Sequence, residues 1–325
     1  MRILSGTQPT GSIHIGNYLG AIKQWTELQE KNECIFFIAD LHSLTIPYKP
    51  EDLRKNILEV AIAHLAAGID PQKSIFFLQS DIKEHTELCW LLNTVCPIGD
   101  LERMTQYKEK ARQFKQNINA GLLVYPVLQA ADILLYKTER VPVGKDQVQH
   151  VELARTIARK FNQRFGKTFI EPKAVLAKMG AKIMALNNPK QKMSKSLGPQ
   201  SYISIFEEPE EIKRKVIAAV TDTGKQIKYE PKRKPGISNL LIIYSLFSQK
   251  PIKELENDFR DKGYSQFKKS LINLLIESLE PFRRKRKELL SREVYVRETL
   301  KLGAKKARAI AESTMHDVRQ KMGLV

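Results

Sequence analysis

The chain has 325 residues, 42% of them hydrophobic, and carries 54 lysines and arginines against 36 aspartates and glutamates, a formal net charge of +18. The length suggests two domains, no apolar run approaches the roughly 18–20 residues of a bilayer span, and Ile3-Leu4 is too short for the core of a secretory signal. Cys34, Cys89 and Cys96 are too few and too far apart for a disulfide framework or a C-x-x-C metal site, so a reducing, cytoplasmic setting is expected, while the basic excess favours a polyanionic partner held in a salt-sensitive way.

In chain order, Ile3-Leu4 ends at Ser5-Gly6, and a loop with Pro9 and Gly11 leads into an apolar-periodic stretch that predicts a helix over 15–28. Strand, glycine-containing loop and helix, in that order, point free N–H groups and a positive helix end at an anion. Gln8, Pro9 and Thr10 lie in the loop. His14, Gly16 and Asn17 lie at the helix mouth, where short polar side chains reach a phosphate. The spacing is neither the dinucleotide G-x-G-x-x-G nor G-x-x-x-x-G-K-[ST], so the stretch fits a nucleotide and an ordinary βα turn alike.

Residues 33–40 and 74–79 are continuous apolar runs, the pattern of strands covered on both faces. Between and after them, 50–67 (stopped by Gly68) and 84–95 read as helices. This β-α-β-α-β-α series predicts an α/β fold with a Rossmann-like, doubly wound parallel sheet that binds ligands at the carboxyl ends of its strands. Ser5-Gly6, Asp40-Leu41-His42 and Gln79-Ser80 fall at those ends, so His42 is either a pocket residue or a structural histidine held by the following turn.

Residues 101–115 read as a charged helix. The stretch 120–136 is overwhelmingly apolar and holds one carboxylate, Asp132, and one amide, Gln129, a helical turn apart, with Pro126 in an early turn. A buried unpaired charge costs on the order of several kcal/mol, so Asp132 needs a donor: a backbone N–H, an arginine or a ligand N–H. Val141-Pro-Val-Gly-Lys-Asp-Gln147 predicts a strand ending at Gly144, followed by a helix over 148–161. A last strand is predicted over 182–186. It delivers the chain to Lys192-Met-Ser-Lys-Ser196, a polar loop whose lysines can close over phosphates.

Beyond Tyr202 only helices are predicted, over 208–220, 238–248, 252–261, 264–281 and 282–322. Arg283-Arg-Lys-Arg-Lys287 is a cationic run that fits a solvated helix face, a nuclear-localisation match or a contact with a phosphate backbone.

His14-Ile-Gly-Asn17 and, about one Rossmann domain later, Lys192-Met-Ser-Lys-Ser196 together resemble the two signatures of the class I aminoacyl-tRNA synthetases, with Asn17 where many members carry a second histidine. The text around 101–110, 130–136, 219–222 and 234–241 is similar to the tryptophanyl branch. That resemblance implies a catalytic domain over 1–200 with a helical insertion around 100–175, and a mostly helical, anticodon-binding domain over 201–325. It implies tRNA(Trp), L-tryptophan and ATP as partners, Mg²⁺ held mainly by the ATP phosphates, and a homodimer. The implied reaction has two steps: the tryptophan carboxylate attacks the α-phosphorus and releases pyrophosphate, then the acyl group passes to the terminal ribose of the tRNA.

The same resemblance assigns roles. Lys110, Lys192 and Lys195 would neutralise the phosphates; Gln8, Pro9, Thr10, His14, Gly16, Asn17, Met193, Ser194 and Ser196 would hold the nucleotide. Gly144, Lys145 and Asp146 would meet the ribose and Ile183 the adenine. The indole N–H would donate to Asp132 between Val141 and Val143, with His42, Gln129 and Gln147 completing the amino-acid side. Two departures stand out. Gln129 replaces the Met frequent in bacterial tryptophan enzymes and creates the Gln-x-x-Asp spacing of the tyrosyl relatives, and Leu197-Gly198 replaces the common acidic continuation. A tyrosine-specific synthetase and a non-catalytic RNA-binding relative stay open as alternatives, although the second would be expected to lose Lys192 and Lys195.

Overall fold

The computed structural model describes residues 1–11, 13–113, 118–176 and 183–325; the side chains of Lys110, Ala111 and Gln113 also fall outside that description. Five strands, β1 (Arg2–Thr7), β2 (Glu33–Ile38), β3 (Ser74–Leu78), β4 (Arg140–Val143) and β5 (Lys173–Leu176), form one sheet in the order β3-β2-β1-β4-β5. Every pairing is parallel, with Leu4 opposite Ile35 and Ile35 opposite Ile75. The apolar runs of β2 and β3 are the buried centre, where Ile35, Phe36, Ile38, Phe76 and Phe77 are shielded from water, as strands covered on both faces require.

The last strand differs from expectation. It is β5 at Lys173–Leu176, whereas in the described part of 182–186 Met184 makes an isolated bridge with Lys192. The strand lies at the sheet edge and its four residues are half-buried to exposed, so it lacks the apolar run that marks β2 and β3.

The strand order reverses beside β1, which places the topological switch between β1 and β4. Their ladder is limited to Ile3 opposite Arg140. Pro142 supplies the reason. Its carbonyl faces β1 and accepts the Ser5 hydroxyl at 3.4 Å; the N–H that would point the same way is missing in proline. The two strands therefore part toward their carboxyl ends.

The chain packs as two compact units made of interleaved segments: Met1–Gly11, Trp25–Lys178 and Arg292–Val325 in the first, Ser12–Gln24 and Met179–Ser291 in the second. The expected boundary at residue 200 follows chain order, and these units cut across it. In the first unit, α4 (Pro50–Ala66), α5 (Glu84–Asn93), α6 (Ile98–Glu102), α7 (Thr105–Gln113), α8 (Ala120–Leu135) and α9 (Val148–Phe165) join the sheet, and Leu88, Leu92, Val127, Leu134, Val151 and Ile157 share its core. Helix α8 starts earlier than Pro126 suggested. Asn119 caps it by accepting the Leu122 N–H at 2.9 Å, and Pro126 sits inside it.

The long predicted run over 282–322 breaks after Leu290, giving α13 (Tyr264–Leu290) and α14 (Glu293–Met322). Helix α14 belongs to the first unit and crosses β3 at Gly303, where an added Cβ would lie 1.9 Å from the Phe76 carbonyl oxygen. In the second unit α10 (Pro209–Ala218) packs on α13, and α11 (Pro235–Ser248) on α12 (Ile252–Asp258) and α13. Much of the cationic run on α13 is committed inside this unit: Arg283 donates to the carbonyls of Ile276 and Glu207 and pairs with Glu280, and Arg286 lies over the Phe206 ring. Among the described residues no helix is long and apolar enough to cross a membrane.

Candidate functional site

The second unit brings the two signature segments together. The helix predicted over 15–28 is present as α1 (Ile15–Asn17), a π turn (Tyr18–Ile22) and α2 (Lys23–Leu28). His14 and Asn17 close its start reciprocally: the Asn17 N–H donates to His14 Nδ1 at 3.2 Å, and the His14 N–H donates to Asn17 Oδ1 at 3.3 Å. Burial, then the charges of Lys195 and Lys192, lower the His14 pKa to about 4. The ring is therefore neutral at pH 7. With Nδ1 accepting, its one proton sits on Nε2, which makes His14 a donor toward an anion.

The Lys192–Ser196 loop lies beside that helix mouth. A Cβ built on Gly16 would sit 3.7 Å from Met193 Sδ, and Met193 is buried with its N–H on the Ile183 carbonyl at 3.0 Å. Ser194 Oγ accepts from the Ser196 N–H, and Ser201 Oγ holds the Ser194 carbonyl at 2.7 Å. Lys192 is exposed; Lys195 is half-buried, and loss of water lowers its pKa. The loop is anchored from behind: Asn239 of α11 accepts the Met184 N–H at 2.8 Å and donates to the Met184 carbonyl at 2.9 Å.

The first unit holds the other half of the expected residues at its strand ends. Gln8 and Thr10 are exposed after β1 and Pro9 is buried; Gly144, Lys145 and Asp146 are exposed after β4. Val141 is buried and Val143 half-buried, both on one face of β4 as the two-residue period of a strand demands. Gln129 donates to Gln147 Oε1 at 3.4 Å, and Gln147 donates to Asp146 at 2.9 Å. Lys110 cannot be placed, because its side chain lies outside the described residues.

Asp132 is 1% exposed and surrounded by donors. His42 Nε2 lies 2.8 Å from Oδ2, while Gln79 Nε2 at 2.7 Å and His85 Nδ1 at 2.6 Å both meet Oδ1. Burial pushes the Asp132 pKa up, but the hydrogen bonds from His42 and His85 outweigh it and hold the group at about 2. The donors are thus two imidazoles and an amide, neither the backbone N–H nor the arginine that a ligand-free site suggested. His42 is buried against Asp132, the following turn holds it through the Thr45 hydroxyl on its carbonyl at 2.9 Å, and its ring stands edge-on to Tyr125 with centroids 6.3 Å apart.

A family model described as tRNA synthetases class I (W and Y) matches residues 1–280. The chain belongs to this family. Among class I tRNA synthetases it resembles, the tryptophan–tRNA ligase of Caldanaerobacter subterraneus is 46% identical over 325 residues, covering 100% of this chain and 98% of that one. That of Bacillus anthracis is 47% identical over 323 residues, covering 99% and 98%. The tryptophanyl-tRNA synthetase of Campylobacter jejuni, crystallised with ADP and tryptophan, superposes with a TM-score of 0.87 at 42% identity over 100% of both chains.

Within this synthetase scaffold, two residues near Asp132 escaped the sequence reading, His85 and Tyr136, whose hydroxyl lies 2.8 Å from His85 Nε2, while Gln79 was read only as lying at a ligand-facing strand end. No local sequence signal marked them: five of the six histidines, His14, His42, His64, His85 and His150, are buried, and that burial shows only in the folded chain.

Proposed function

We propose that this chain is a tryptophan–tRNA ligase that activates L-tryptophan with ATP, releases pyrophosphate, and transfers the tryptophanyl group to tRNA(Trp). The observation that carries the choice of amino acid is a fully buried, ionised carboxylate at Asp132, the one acid on a largely apolar helix, in a chain 46% and 47% identical to two tryptophan–tRNA ligases over essentially its whole length. An indole offers such a carboxylate one N–H donor and a large apolar surface. Asp132 accepts that N–H, and Val141 and Val143 flank the ring. Gln147, oriented by Gln129, meets the α-amino end. Gln8, Gly144, Lys145 and Asp146 serve the nucleotide from the ends of β1 and β4.

In the second unit, neutral His14 donates from Nε2 to a phosphate oxygen, and Lys192 and Lys195 offset the negative charge that develops as pyrophosphate leaves. Ile183 supports the adenine. Catalysis rests on positioning and charge stabilisation, with no covalent nucleophile from the protein. The signature loops supply cations and neutral donors, and Mg²⁺, a hard cation, enters as part of the nucleotide substrate on its phosphate oxygens. The basic helices over 201–291 contact the tRNA, and the protein works in the cytoplasm as a homodimer.

Amino-acid-dependent ATP–pyrophosphate exchange tests this reading with each of the twenty amino acids. Exchange with tryptophan alone is the expected result. Exchange driven by tyrosine would move the chain to the tyrosine-specific alternative, and no exchange with any amino acid would support a non-catalytic relative.

A further inference from the structure

The donors around Asp132 form an ordered chain. His85 and Tyr136 are both fully buried. The His85 ring has two close partners: Asp132 Oδ1 at 2.6 Å from Nδ1, and the Tyr136 hydroxyl at 2.8 Å from Nε2. A neutral imidazole has one N–H. If it sat on Nε2, the Nδ1 lone pair would face a carboxylate oxygen at close range. If it sits on Nδ1, it donates to Asp132, and Nε2 accepts the Tyr136 O–H, so every group is satisfied. Tyr136 thereby selects the tautomer that points a proton at Asp132. The rings of Phe37 and Phe77 pack around His85, and Phe77 also meets Tyr136 edge-on, so the imidazole is held in one orientation.

Gln79 supports the same conclusion from another side. Its Nε2 donates to Asp132 Oδ1 while its own Oε1, fully buried, has no partner among the described residues. An orphaned amide oxygen is tolerated when the other end of the amide makes a charge-assisted bond to an anion. The result is an uneven carboxylate: Oδ1 takes two donors, Gln79 and His85, and Oδ2 takes one, His42. A carboxylate oxygen offers two lone pairs, so the remaining acceptor position is on Oδ2.

We propose that Tyr136 and His85 are positioning residues for amino-acid selection: they lock Asp132 as an acceptor with Oδ2 turned to the substrate N–H, and so set discrimination for tryptophan by acting through Asp132. This rests on the reading that Asp132 receives the indole N–H. The titratable groups around Asp132 are His42 of α3 (Asp40–Ser43), His85, Glu84 and Cys89 of α5, and Tyr136 at the end of its own helix. Burial pushes the Cys89 thiol up to about 12 and the Tyr136 hydroxyl well above its ordinary value, so neither gains charge near neutrality.

The test measures kcat/KM in pyrophosphate exchange for tryptophan and phenylalanine, across pH, in the full chain and in Tyr136→Phe, His85→Asn, His85→Leu and Asp132→Asn. Asn places an amide nitrogen where Nδ1 stood and keeps a donor to Oδ1; Leu removes it. The tryptophan-to-phenylalanine ratio should fall about tenfold in Tyr136→Phe and about a hundredfold in His85→Leu, and His85→Asn should recover most of it. The acidic limb of the tryptophan profile should move up in pH in His85→Leu, because a carboxylate stripped of a donor protonates more readily. A role confined to folding would lower both amino acids together and leave that limb in place. If His85→Leu does not fold, Tyr136→Phe decides. A wild-type ratio in Tyr136→Phe and in any folded His85→Leu, with the ratio lost in Asp132→Asn, would overturn the inference alone. An unchanged ratio in Asp132→Asn would overturn the assignment of the indole to Asp132, and the inference with it.

Discussion

Asn239 gives the most quantitative handle on how the lysine loop is held. Around the bridge between Met184 and Lys192, the Ala185 and Met193 N–H groups bond across to Gln191 and Ile183, which leaves the Met184 N–H and carbonyl facing the other way. Asn239, 3% exposed on α11, fills both at 2.8 and 2.9 Å, as a neighbouring strand would. In Asn239→Ala two backbone groups lose their partners. A buried unpaired group costs about 1–3 kcal/mol, and Met184 is half-buried, so the expected loss is about 2–4 kcal/mol. Asn239→Asp keeps an acceptor for the N–H but sets an oxygen against the Met184 carbonyl. Protonation of the introduced carboxyl restores a donor and raises its folded-state pKa. The stability it restores is therefore full below the unfolded carboxyl pKa and is lost as pH rises through the folded value. Urea denaturation at several pH values reads the stability, and the KM for ATP in pyrophosphate exchange reads the loop, with a rise of about tenfold or more expected for Asn239→Ala. Stability within 0.5 kcal/mol of the wild type together with an unchanged KM would refute the anchoring role.

Other outcomes follow from single contacts. Gly303→Ala inserts a carbon 1.9 Å from the Phe76 carbonyl oxygen; overpacking of about 1–3 kcal/mol or more should exceed the helix-propensity gain of about 1 kcal/mol, so its thermal midpoint should fall, and an equal or higher midpoint would contradict the close crossing. His64 is fully buried, donates from Nδ1 to the Val60 carbonyl and faces the Thr7 hydroxyl, and burial lowers its pKa to about 4. The unfolded chain then binds the extra proton, so about 3 kcal/mol of stability present above pH 6.5 is lost as pH falls toward 4; His64→Gln should flatten that limb of the urea-derived stability profile, and an unaltered slope would rule His64 out as its source. Lys195→Ala should lower the rate of adenylate formation far more than tryptophan affinity, measured by single-turnover kinetics and equilibrium binding; equal losses would contradict a role confined to the transition state.

The parts of this molecule that were legible in sequence are those whose signal is local. Residues 33–40 and 74–79 are unbroken apolar runs, and they became the buried centre of the parallel sheet. Asp132 stood out because it is the one acid in an apolar helix. What stayed hidden depends on chain segments far apart. The three donors on Asp132 come from 47, 53 and 90 residues away, and His85 reads locally as an ordinary polar residue in the first turn of a helix. β5 carries no such run because it lies half-exposed at the sheet edge. The break after Leu290 and the return of α14 to β3 show in sequence only as one glycine, Gly303, whose use becomes evident when the Phe76 backbone is found against it.

The sharpest examination of the account is to replace the indole N–H by sulfur and leave the rest of the substrate alone. In ATP–pyrophosphate exchange, kcat/KM should be compared for L-tryptophan and for 3-(3-benzothienyl)-L-alanine. With Asp132 buried, ionised and reserved for a donor, the sulfur compound should be disfavoured by at least about 10², toward the roughly 10⁴–10⁵ seen where a buried polar group is left unpaired. A ratio within about threefold, a free-energy difference under about 0.7 kcal/mol, would show that Asp132 does not select the indole.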